Sequence, residues 1–558
     1  MPFMAGKQAF LALLRQEGVE YLFGNPGTTE LPLMDGLVEE PVIRYVLGLQ
    51  EAAVVAMADG YAQASGKLGV VNVHVAPGLG NALGMLYDAQ KAGAPLLVTA
   101  GQHDQSFNFT EPILWADLPP IARPFVKWSA EVRRLADLPR AVHRAAKTAL
   151  AAPTGPVFLS LPADVLNAEG EIELGRPTRV APRHRGDRAA VEAAADLLAR
   201  AERPLIMAGD AVAASDAHAE LVAVAELLGA TVYAEGVPST ASFPASHPLF
   251  RGALVRQAPV IRQALSQGDL LFSVGGDLLT MSLPSDLDPM PPELPIVHLD
   301  VDPWELGKNY PARVAILGDP KATLPELWAA IEERLSPERR ARAAERLAAA
   351  RAAKARHAGE LRARALADAH KLPMPPLALM HAVAEALPPE AVVVDETISS
   401  GAGLRTFLKS DDPKSFFGLR GGGIGWGLPA AIGVKLALPS RPVVGLIGDG
   451  SAMYTCQALW TAARYRVPVV LVILNNASYR ILKQRIHAMK GLAAQADRYV
   501  GMDLEDPRVD FVGLAQSLGV EAERVEKTAE VAPALGRALG RGGPTLLDVE
   551  LERSFKSA

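Results

Sequence analysis

VVGLIGDGS at residues 443–451 and VPVVLVILNN at residues 467–476 together decide the fold of this chain. Each apolar run predicts a buried strand, and the residues between them have the spacing of a helix. In a parallel strand–helix–strand unit both strands end at the same crevice, so we expect Asp449 and Asn476 to lie side by side. Their oxygens suit Mg²⁺ or Ca²⁺, and the N-terminus of the following helix suits a phosphate.

Length and composition exclude several classes of protein. At 558 residues the chain is long enough for three or four domains of about 150 residues each. A net charge of −6 gives no reason to expect a nucleic acid or an anionic membrane as a partner. The single cysteine, Cys456, excludes a disulfide framework and favours a cytoplasmic location. No run has the length and apolarity of a membrane span or a signal peptide.

Short apolar runs alternate with helical patterns along the whole chain. They predict strands at 21–23, 42–47, 70–74, 95–100, 204–208, 231–234, 270–274 and 296–299. This alternation predicts an α/β protein of three domains, each a doubly wound, mostly parallel sheet. We place the domains at 1–180, 186–335 and 373–558. Residues 336–372 are rich in Ala and Arg, but Glu residues interleave with the arginines, which favours a linking helix over a nucleic-acid-binding arm.

The Gly-Asp-Gly and Asn-Asn pair at this spacing resembles the signature of thiamin diphosphate enzymes. The alternative is an ordinary nucleotide-binding turn with an unrelated Asn pair. The resemblance extends over essentially the whole chain and is greatest to benzoylformate decarboxylase, with acetolactate synthase and benzaldehyde lyase more distant. It is carried by NPGTTELP at 25–32, LQEA at 49–52, ADGYA at 58–62, GGGIG at 421–425 and LPAAIG at 428–433. It implies pyrimidine-binding, middle and diphosphate-binding domains, in that order.

The resemblance implies which residues act on the substrate. Glu51 would bind N1′ of the cofactor pyrimidine and promote loss of the C2 proton; alone, it would be an ordinary helix-start residue. His74 would transfer protons near neutral pH, although a strand-end histidine can also be structural. Thr28 replaces a serine that contacts the substrate carboxylate. Ser282 aligns with a second histidine of the relative, and His103 is the other residue that could supply its role.

The remaining positions implied by the resemblance bind the cofactor and its metal. The carbonyl of Gly422 would accept from the 4′-amino group, and Ile424 would hold the cofactor bent. The diphosphate group would contact Ile398 (where the relative has a threonine), Ser399, Gly450, Ser451 and Tyr479. The metal ligands would be Asp449, Asn476 and the backbone carbonyl of Ser478. Arg480, Lys483 and Arg485 form either a solvated helix face or a surface that attracts an anionic substrate.

These residues imply an enzyme that uses thiamin diphosphate with Mg²⁺ or Ca²⁺. Flavin is not expected, because the Arg-Phe-Asp-Asp-Arg signature is absent. We expect non-oxidative decarboxylation of an aromatic or branched 2-oxo acid, with carboligation as the alternative. A non-catalytic nucleotide-binding homologue is a third hypothesis, against which Glu51 counts. The resemblance implies a homotetramer in which Glu51 and His74 of one subunit face the diphosphate clamp of another.

The serine at position 282 separates this chain from the relative it resembles. Serine does not act as an acid or base near pH 7 without help. We therefore expect poor activity on benzoylformate, and either another substrate or more carboligation. The sequence leaves the substrate, the stereochemistry and the oligomer size open.

Overall fold

The computed structural model of the protein describes residues 2–237 and 239–556. It contains three six-stranded sheets in which every strand pairing is parallel, and a two-stranded antiparallel sheet. The predicted fold class, three α/β domains built on parallel sheets, is confirmed. The residue bounds of the domains stay a prediction. Within the described residues no helix is both long and apolar enough to cross a membrane.

The N-terminal sheet has the order β3-β2-β4-β5-β7-β6, and β1 pairs with β8 outside it. Strands β4, β5 and β7 are buried throughout, as expected of parallel strands covered on both faces. The strands are β1 (Phe3–Ala5), β2 (Tyr21–Gly24), β3 (Arg44–Leu47), β4 (Gly69–Val73), β5 (Leu96–Gln102), β6 (Ser129–Glu131), β7 (Val157–Pro162) and β8 (Glu169–Glu171). The helices are α1 (Gly6–Gln16), α2 (Leu31–Gly36), α3 (Glu51–Ser65), α4 (Val75–Ala92), α5 (Leu118–Ala122), α6 (Leu138–Leu150) and α7 (Ala163–Asn167), with 3₁₀ turns at Thr28–Glu30, Leu37–Glu39, Gln105–Thr110, Arg123–Phe125 and Leu135–Asp137.

The middle sheet has the order β11-β10-β9-β12-β13-β14. Its strands are β9 (Pro204–Ala208), β10 (Thr231–Ala234), β11 (Phe250–Ala253), β12 (Leu270–Val274), β13 (Ile296–Asp300) and β14 (Val314–Leu317). Its helices are α8 (Arg188–Arg200), α9 (Asp210–Ala214), α10 (His218–Leu228), α11 (Ala258–Leu265) and α12 (Pro320–Arg334). The 31-residue helix α13 (Pro337–Ala367) then occupies the segment for which the sequence predicts a linking helix.

The C-terminal sheet has the order β16-β15-β17-β18-β20-β19. Its strands are β15 (Val392–Glu396), β16 (Phe416–Gly418), β17 (Val443–Gly448), β18 (Val470–Asn475), β19 (Glu521–Val525) and β20 (Thr545–Glu550). Its helices are α14 (Pro376–Ala386), α15 (Leu404–Phe407), α16 (Gly427–Ala437), α17 (Asp449–Ala452), α18 (Ala458–Arg464), α19 (Arg480–Ala488), α20 (Leu492–Gln495), α21 (Phe511–Ser517) and α22 (Thr528–Gly540). The single helix predicted after Gly-Asp-Gly is thus two helices, and Thr455 between them donates its hydroxyl to the carbonyl of Gly425 at 2.6 Å.

The N-terminal and C-terminal domains share one hydrophobic core, in which α3 packs against α16. A Cβ on Gly60 would lie 2.4 Å from the carbonyl oxygen of Ala430, and a Cβ on Gly433 would lie 1.9 Å from that of Met57. Only glycine allows such a close approach of two helix backbones. Because residue 57 faces 433 and residue 60 faces 430, the two helices run antiparallel.

Candidate active site

Glu51 begins helix α3 and is held by two asparagines. Its Oε1 accepts from Asn25 and its Oε2 accepts from Asn81, each at 3.0 Å. Gln50 caps the helix by accepting from the backbone N–H of Ala53 at 3.1 Å. The Glu51 side chain is therefore fixed in one orientation and nearly buried, at 6% exposure. A carboxyl group so constrained can hold a proton-bearing ring nitrogen in one geometry.

His74 follows strand β4 and is oriented by the buried carboxylate of Glu30. His74 Nδ1 lies 2.7 Å from Glu30 Oε2 and 3.2 Å from the hydroxyl of Thr29. Glu30 also accepts from the backbone N–H groups of Gly27 and Gly101 at 3.0 and 2.7 Å. With Nδ1 engaged, Nε2 is the ring nitrogen left to exchange a proton. The ring keeps 20% of its surface exposed, so the site can reach a ligand.

The other three predicted substrate residues lie in different surroundings. Thr28 is exposed at the start of a 3₁₀ turn, next to the Thr29 that contacts His74. His103 follows strand β5, the neighbour of the strand that precedes His74, so the two histidines follow adjacent strand ends. Its buried Nε2 has no hydrogen-bond partner within the described part of the chain. Ser282 is exposed in the segment between β12 and β13 of the middle domain.

The predicted metal ligands do meet at one edge of the C-terminal sheet. Strands β17 and β18 pair in parallel with Gly448 opposite Leu474, which brings Asp449 to the turn that contains Asn476. Asn476 Oδ1 accepts from the backbone N–H of Ser478 at 3.0 Å. Asp449 Oδ2 is buried and, among the described residues, has no donor. An acceptor-only oxygen in this position fits a hard cation.

Burial governs the electrostatics of Asp449. It raises the pKa of this carboxyl group to about 6, against the opposing effect of the backbone N–H of Gly450, which donates to Oδ1 at 2.9 Å. A bound divalent cation would reverse that shift, because it favours the ionised carboxylate.

The predicted diphosphate contacts surround the same edge. Gly450 is required there, because a Cβ would lie 2.6 Å from the ring of Tyr479. Ser451 is buried in α17, directly after Gly450. Ile398 is half-exposed with φ +48°, a left-handed conformation that is strained for a β-branched residue. Ser399 follows it in a tight turn after β15.

The glycine-rich loop that contains Gly422 and Ile424 is held by carboxylates. Gly422 has φ +90°, a conformation that glycine adopts without strain, and Ile424 packs against the shared core. Glu396 accepts from the N–H groups of Gly425 and Gly427 at 2.6 and 2.5 Å. Burial raises the pKa of Glu396 to about 7, although these N–H groups oppose the shift.

Two aspartates of the N-terminal domain contact the same loop. Asp59 on α3 accepts from the indole N–H of Trp426 at 2.7 Å, and Asp88 on α4 accepts from the backbone N–H of Gly423 at 3.0 Å. Burial raises the pKa of Asp59 to about 6 and that of Asp88 to about 8. The bonds from Trp426 and Gly423 oppose these shifts, while the charges of Asp59 and Glu396 add to the shift of Asp88.

Within one chain, Glu51 and the residue that contacts the loop region lie on different turns of α3. Asp59 reaches the glycine-rich loop, and Glu51 lies eight residues earlier on the same helix. At ~1.5 Å per residue, Glu51 is about 12 Å from Asp59 along α3. Helix α4 repeats this arrangement, since Asn81 in its first half donates to Glu51 and Asp88 near its end contacts the loop. Within one chain, the first turn of α3, which carries Glu51, is therefore distinct from the part of α3 that contacts Trp426.

Sequence reasoning missed the residues that orient the site. Asn25, Asn81, Glu30, Asp59 and Asp88 were not singled out, although most lie within quoted runs. The signal available for Asp59 was a charged residue between small residues in a helix that is otherwise apolar. The partners of Glu30 and Asp88 come from distant parts of the chain, which no local pattern reveals.

Sequence profiles of one enzyme family match all three domains. "Thiamine pyrophosphate enzyme, N-terminal TPP binding domain" matches residues 4–111, the "central domain" of the same family matches 191–327, and the "C-terminal TPP binding domain" matches 399–549. The matched ranges include Glu51, Asp449 and Asn476.

Whole-chain relatives agree with these profiles. Benzoylformate decarboxylase of Pseudomonas aeruginosa is 35% identical over 549 residues, covering 96% of this chain and 97% of that protein. A probable acetolactate synthase large subunit of Methanocaldococcus jannaschii is 30% identical over 98% of this chain and 92% of that protein.

Solved structures resemble this one over nearly the whole chain. The thiamine diphosphate-dependent 4-hydroxybenzoylformate decarboxylase of Rhodococcus jostii RHA1 has a TM-score of 0.86 at 32% identity. Benzoylformate decarboxylase of Polynucleobacter necessarius has a TM-score of 0.86 at 29% identity, and both comparisons cover 99% of this chain and 100% of the other. This chain, with three parallel-sheet domains and a Gly-Asp-Gly edge, belongs to the thiamine pyrophosphate (thiamin diphosphate) enzyme family.

Proposed function

We propose that this protein catalyses the non-oxidative, thiamin diphosphate-dependent decarboxylation of a 2-oxo acid. The observation that carries the proposal is Glu51, whose two oxygens are fixed by Asn25 and Asn81 at the start of α3. The likeness to benzoylformate decarboxylases supports the reaction class. Carboligation is the second candidate, which the likeness to acetolactate synthases favours.

When bound, thiamin diphosphate would supply an acidic C2–H group, the source of a carbon nucleophile for the substrate carbonyl. The chain's own residues manage the protons around that step. Glu51 holds the proton shared with the pyrimidine N1′. His74 exchanges a proton at Nε2 while Glu30 fixes its ring through Nδ1. Such a positioned acid–base group contributes about 10²–10⁴ in rate.

Mg²⁺ or Ca²⁺ would be bound by the side chains of Asp449 and Asn476 and by the backbone carbonyl of Ser478. The buried, donor-free Oδ2 of Asp449 supports this assignment within the described residues. Gly450 leaves room for a phosphate against Tyr479. Gly422, Ile424, Ile398, Ser399 and Ser451 would complete the cofactor site.

A second copy of the chain would complete the active site. In one chain Glu51 begins α3, while the loop region contacts Asp59 about two turns further along the helix, so we infer that the pyrimidine side and the diphosphate side come from different subunits. Exposed apolar side chains support an interface, with Phe109 at 98% and Ile113 at 82% exposure in the loop after His103. We propose a homotetramer built from such dimers, located in the cytoplasm.

The substrate would differ from benzoylformate. Ser282 stands where the relative has its second histidine, and it carries no group that titrates near neutral pH. Slower protonation of the bound product gives a second carbonyl compound more time to react. We therefore propose weak benzoylformate decarboxylation and a larger share of coupled product, unless His103 supplies the missing acid.

A substrate panel tests the function. The cofactor-loaded protein is incubated with aromatic, branched and short 2-oxo acids in Mg²⁺, and CO₂, free aldehyde and coupled hydroxyketone are each quantified. CO₂ release from at least one substrate that needs both thiamin diphosphate and Mg²⁺ is expected. The Glu51→Gln variant is the matched control, and its exchange of the C2 deuteron, followed by NMR, should slow by orders of magnitude. Turnover in cofactor-free protein, or unchanged exchange in that variant, would contradict the proposal.

A further inference from the structure

Arg420 crosses from the C-terminal domain into the crevice of the middle domain. Its Nη2 lies 3.0 Å from Glu235 Oε2 and 3.1 Å from Asp277 Oδ1. Its Nε lies 3.6 Å from Asp210 Oδ2, and its Nη1 donates to the carbonyl of Val237 at 2.6 Å. Only 10% of the side chain is exposed. One guanidinium thus contacts three carboxylates and a carbonyl.

The three carboxylates mark the place where an open parallel sheet normally binds a ligand. Asp210 follows β9, Glu235 follows β10 and Asp277 follows β12, so all three stand at carboxyl ends of strands. Strands β9 and β12 are neighbours although two strands separate them along the chain, which makes this the point where the strand order reverses. Ligands of such sheets bind in this crevice. Here the chain's own arginine occupies it.

The crevice is itself under conformational constraint. Glu235 Oε1 accepts from the backbone N–H of Leu278 at 2.9 Å. Leu278 and Leu279 are buried with φ of +39° and +68°, two consecutive left-handed residues that are strained without glycine. Surrounding contacts must hold such a turn. Glu235 therefore joins this turn, which leads toward Ser282, to Arg420.

The next residues after Arg420 form the glycine-rich loop. A Cβ on Gly421 would lie 2.1 Å from Asp88 Oδ1, so the loop backbone is pressed directly against α4 of the N-terminal domain. Asp88 then binds the N–H of Gly423, and Glu396 binds that of Gly425. Each of the three domains contributes at least one carboxylate to residues 420–427. Gly422 itself has open space on its Cβ side, so its position depends on the contacts of the residues around it.

We propose that Arg420 is a positioning residue through which the middle domain holds the glycine-rich loop in its cofactor-binding conformation. The proposal rests on the proposed function for the role of Gly422, but the loop constraint itself is a property of the cofactor-free protein. An arginine suits this role because its planar fork satisfies several carboxylates at fixed angles, which a lysine cannot do.

Hydrogen exchange of the cofactor-free full-length protein tests the constraint directly. Arg420→Met keeps the length of the side chain and removes every ionic contact. We expect amides in a peptide spanning 419–428 to exchange at least about tenfold faster than in the wild-type protein. A tenfold change is within the range of coupling free energies between linked sites in proteins. A peptide spanning β17 should be unchanged. Arg420→Lys should restore part of the protection.

Cofactor affinity is the second measurement. The Kd for thiamin diphosphate in Mg²⁺ should rise about tenfold in Arg420→Met, with a smaller change in kcat at saturating cofactor, because the loop can still be ordered by binding. Arg441→Met is the matched control. Arg441 pairs with Asp412 at 3.0 Å and precedes β17, at the opposite end of that strand from Asp449. It should change neither the loop exchange nor the Kd.

Asp277→Asn tests the same contact from the middle domain and serves if Arg420→Met does not fold. Asp277→Asn should also make the loop amides exchange faster. The double variant, Arg420→Met with Asp277→Asn, should exchange little faster than Arg420→Met alone, because both substitutions remove the same interaction. Unchanged loop exchange in the folded variants, or additive effects, would overturn the proposal. If the loop exchange responds as expected but the protein binds no thiamin diphosphate, the positioning role of Arg420 is supported and the proposed function is rejected.

Discussion

Two inactive variants of this protein should restore activity when they form a mixed dimer. Glu51→Gln removes the carboxyl group of one half of the site, and Asp449→Asn removes a metal ligand of the other half. Each variant alone is expected to be inactive. A mixed dimer, with one chain of each kind, would contain one site with both changes and one site with neither, provided that the two residues of a site come from different chains.

The size of the effect follows from the geometry of α3. Asp59 contacts Trp426 at 2.7 Å, and Glu51 lies about 12 Å further along the helix. That separation supports the proposal that the two residues of one site come from different chains. Random reassociation gives about half mixed dimers, each with one of two sites intact, and therefore about a quarter of wild-type activity.

The assay is CO₂ release from the best substrate after the two variants are co-expressed with different tags. Mass spectrometry of the purified protein measures the fraction of mixed dimers. A double variant, Glu51→Gln with Asp449→Asn, co-expressed with wild type is the control: its mixed dimers should have no intact site. Verified mixed dimers of the single variants that stay inactive, or active mixed dimers in the control, would refute the two-chain site.

The remaining predictions concern the metal, the histidine, the domain contact and pH. Chelation of the divalent cation should abolish turnover, and Mg²⁺ should restore it. Glu30→Gln should lower kcat about 10- to 100-fold, because His74 loses its orienting carboxylate; steady-state kinetics with an unchanged melting temperature would show this, and an unchanged kcat would contradict it. Gly433→Val should lower the free energy of unfolding by at least ~1–3 kcal/mol, because the new Cβ would lie 1.9 Å from the backbone carbonyl oxygen of Met57. Gly536→Ala, where a Cβ meets nothing within 4 Å, is the control in denaturant titrations and should be neutral or stabilising. Burial raises the pKa of Asp88 to about 8, above its value in the unfolded chain. Between about pH 4 and pH 8 the folded state therefore keeps a proton on Asp88 that the unfolded state has lost, and the free energy of unfolding should fall as the pH rises through this range. Asp88→Asn should remove that part of the slope, and an identical slope would count against it.

Local patterns were enough to predict most strands and the sheet edge at which Asp449 and Asn476 lie. Strands at 204–208, 231–234 and 270–274 have the predicted bounds, because buried parallel strands are short, continuous apolar runs. The bounds of β18 differ, since the predicted run starts at Val467 and the strand starts at Val470. Pro468 explains the difference, because a proline cannot donate a hydrogen bond to a neighbouring strand.

The sequence by itself determined the three-domain α/β fold and the edge that carries Asp449 and Asn476, because spacing along the chain is enough to specify a parallel strand–helix–strand unit. Only the tertiary structure decided which carboxylates surround the glycine-rich loop. Asp88 and Gly423 are 335 residues apart in the chain, and Glu235 and Arg420 are 185 residues apart. Contacts of this kind depend on how whole domains pack, which no local pattern of residues specifies.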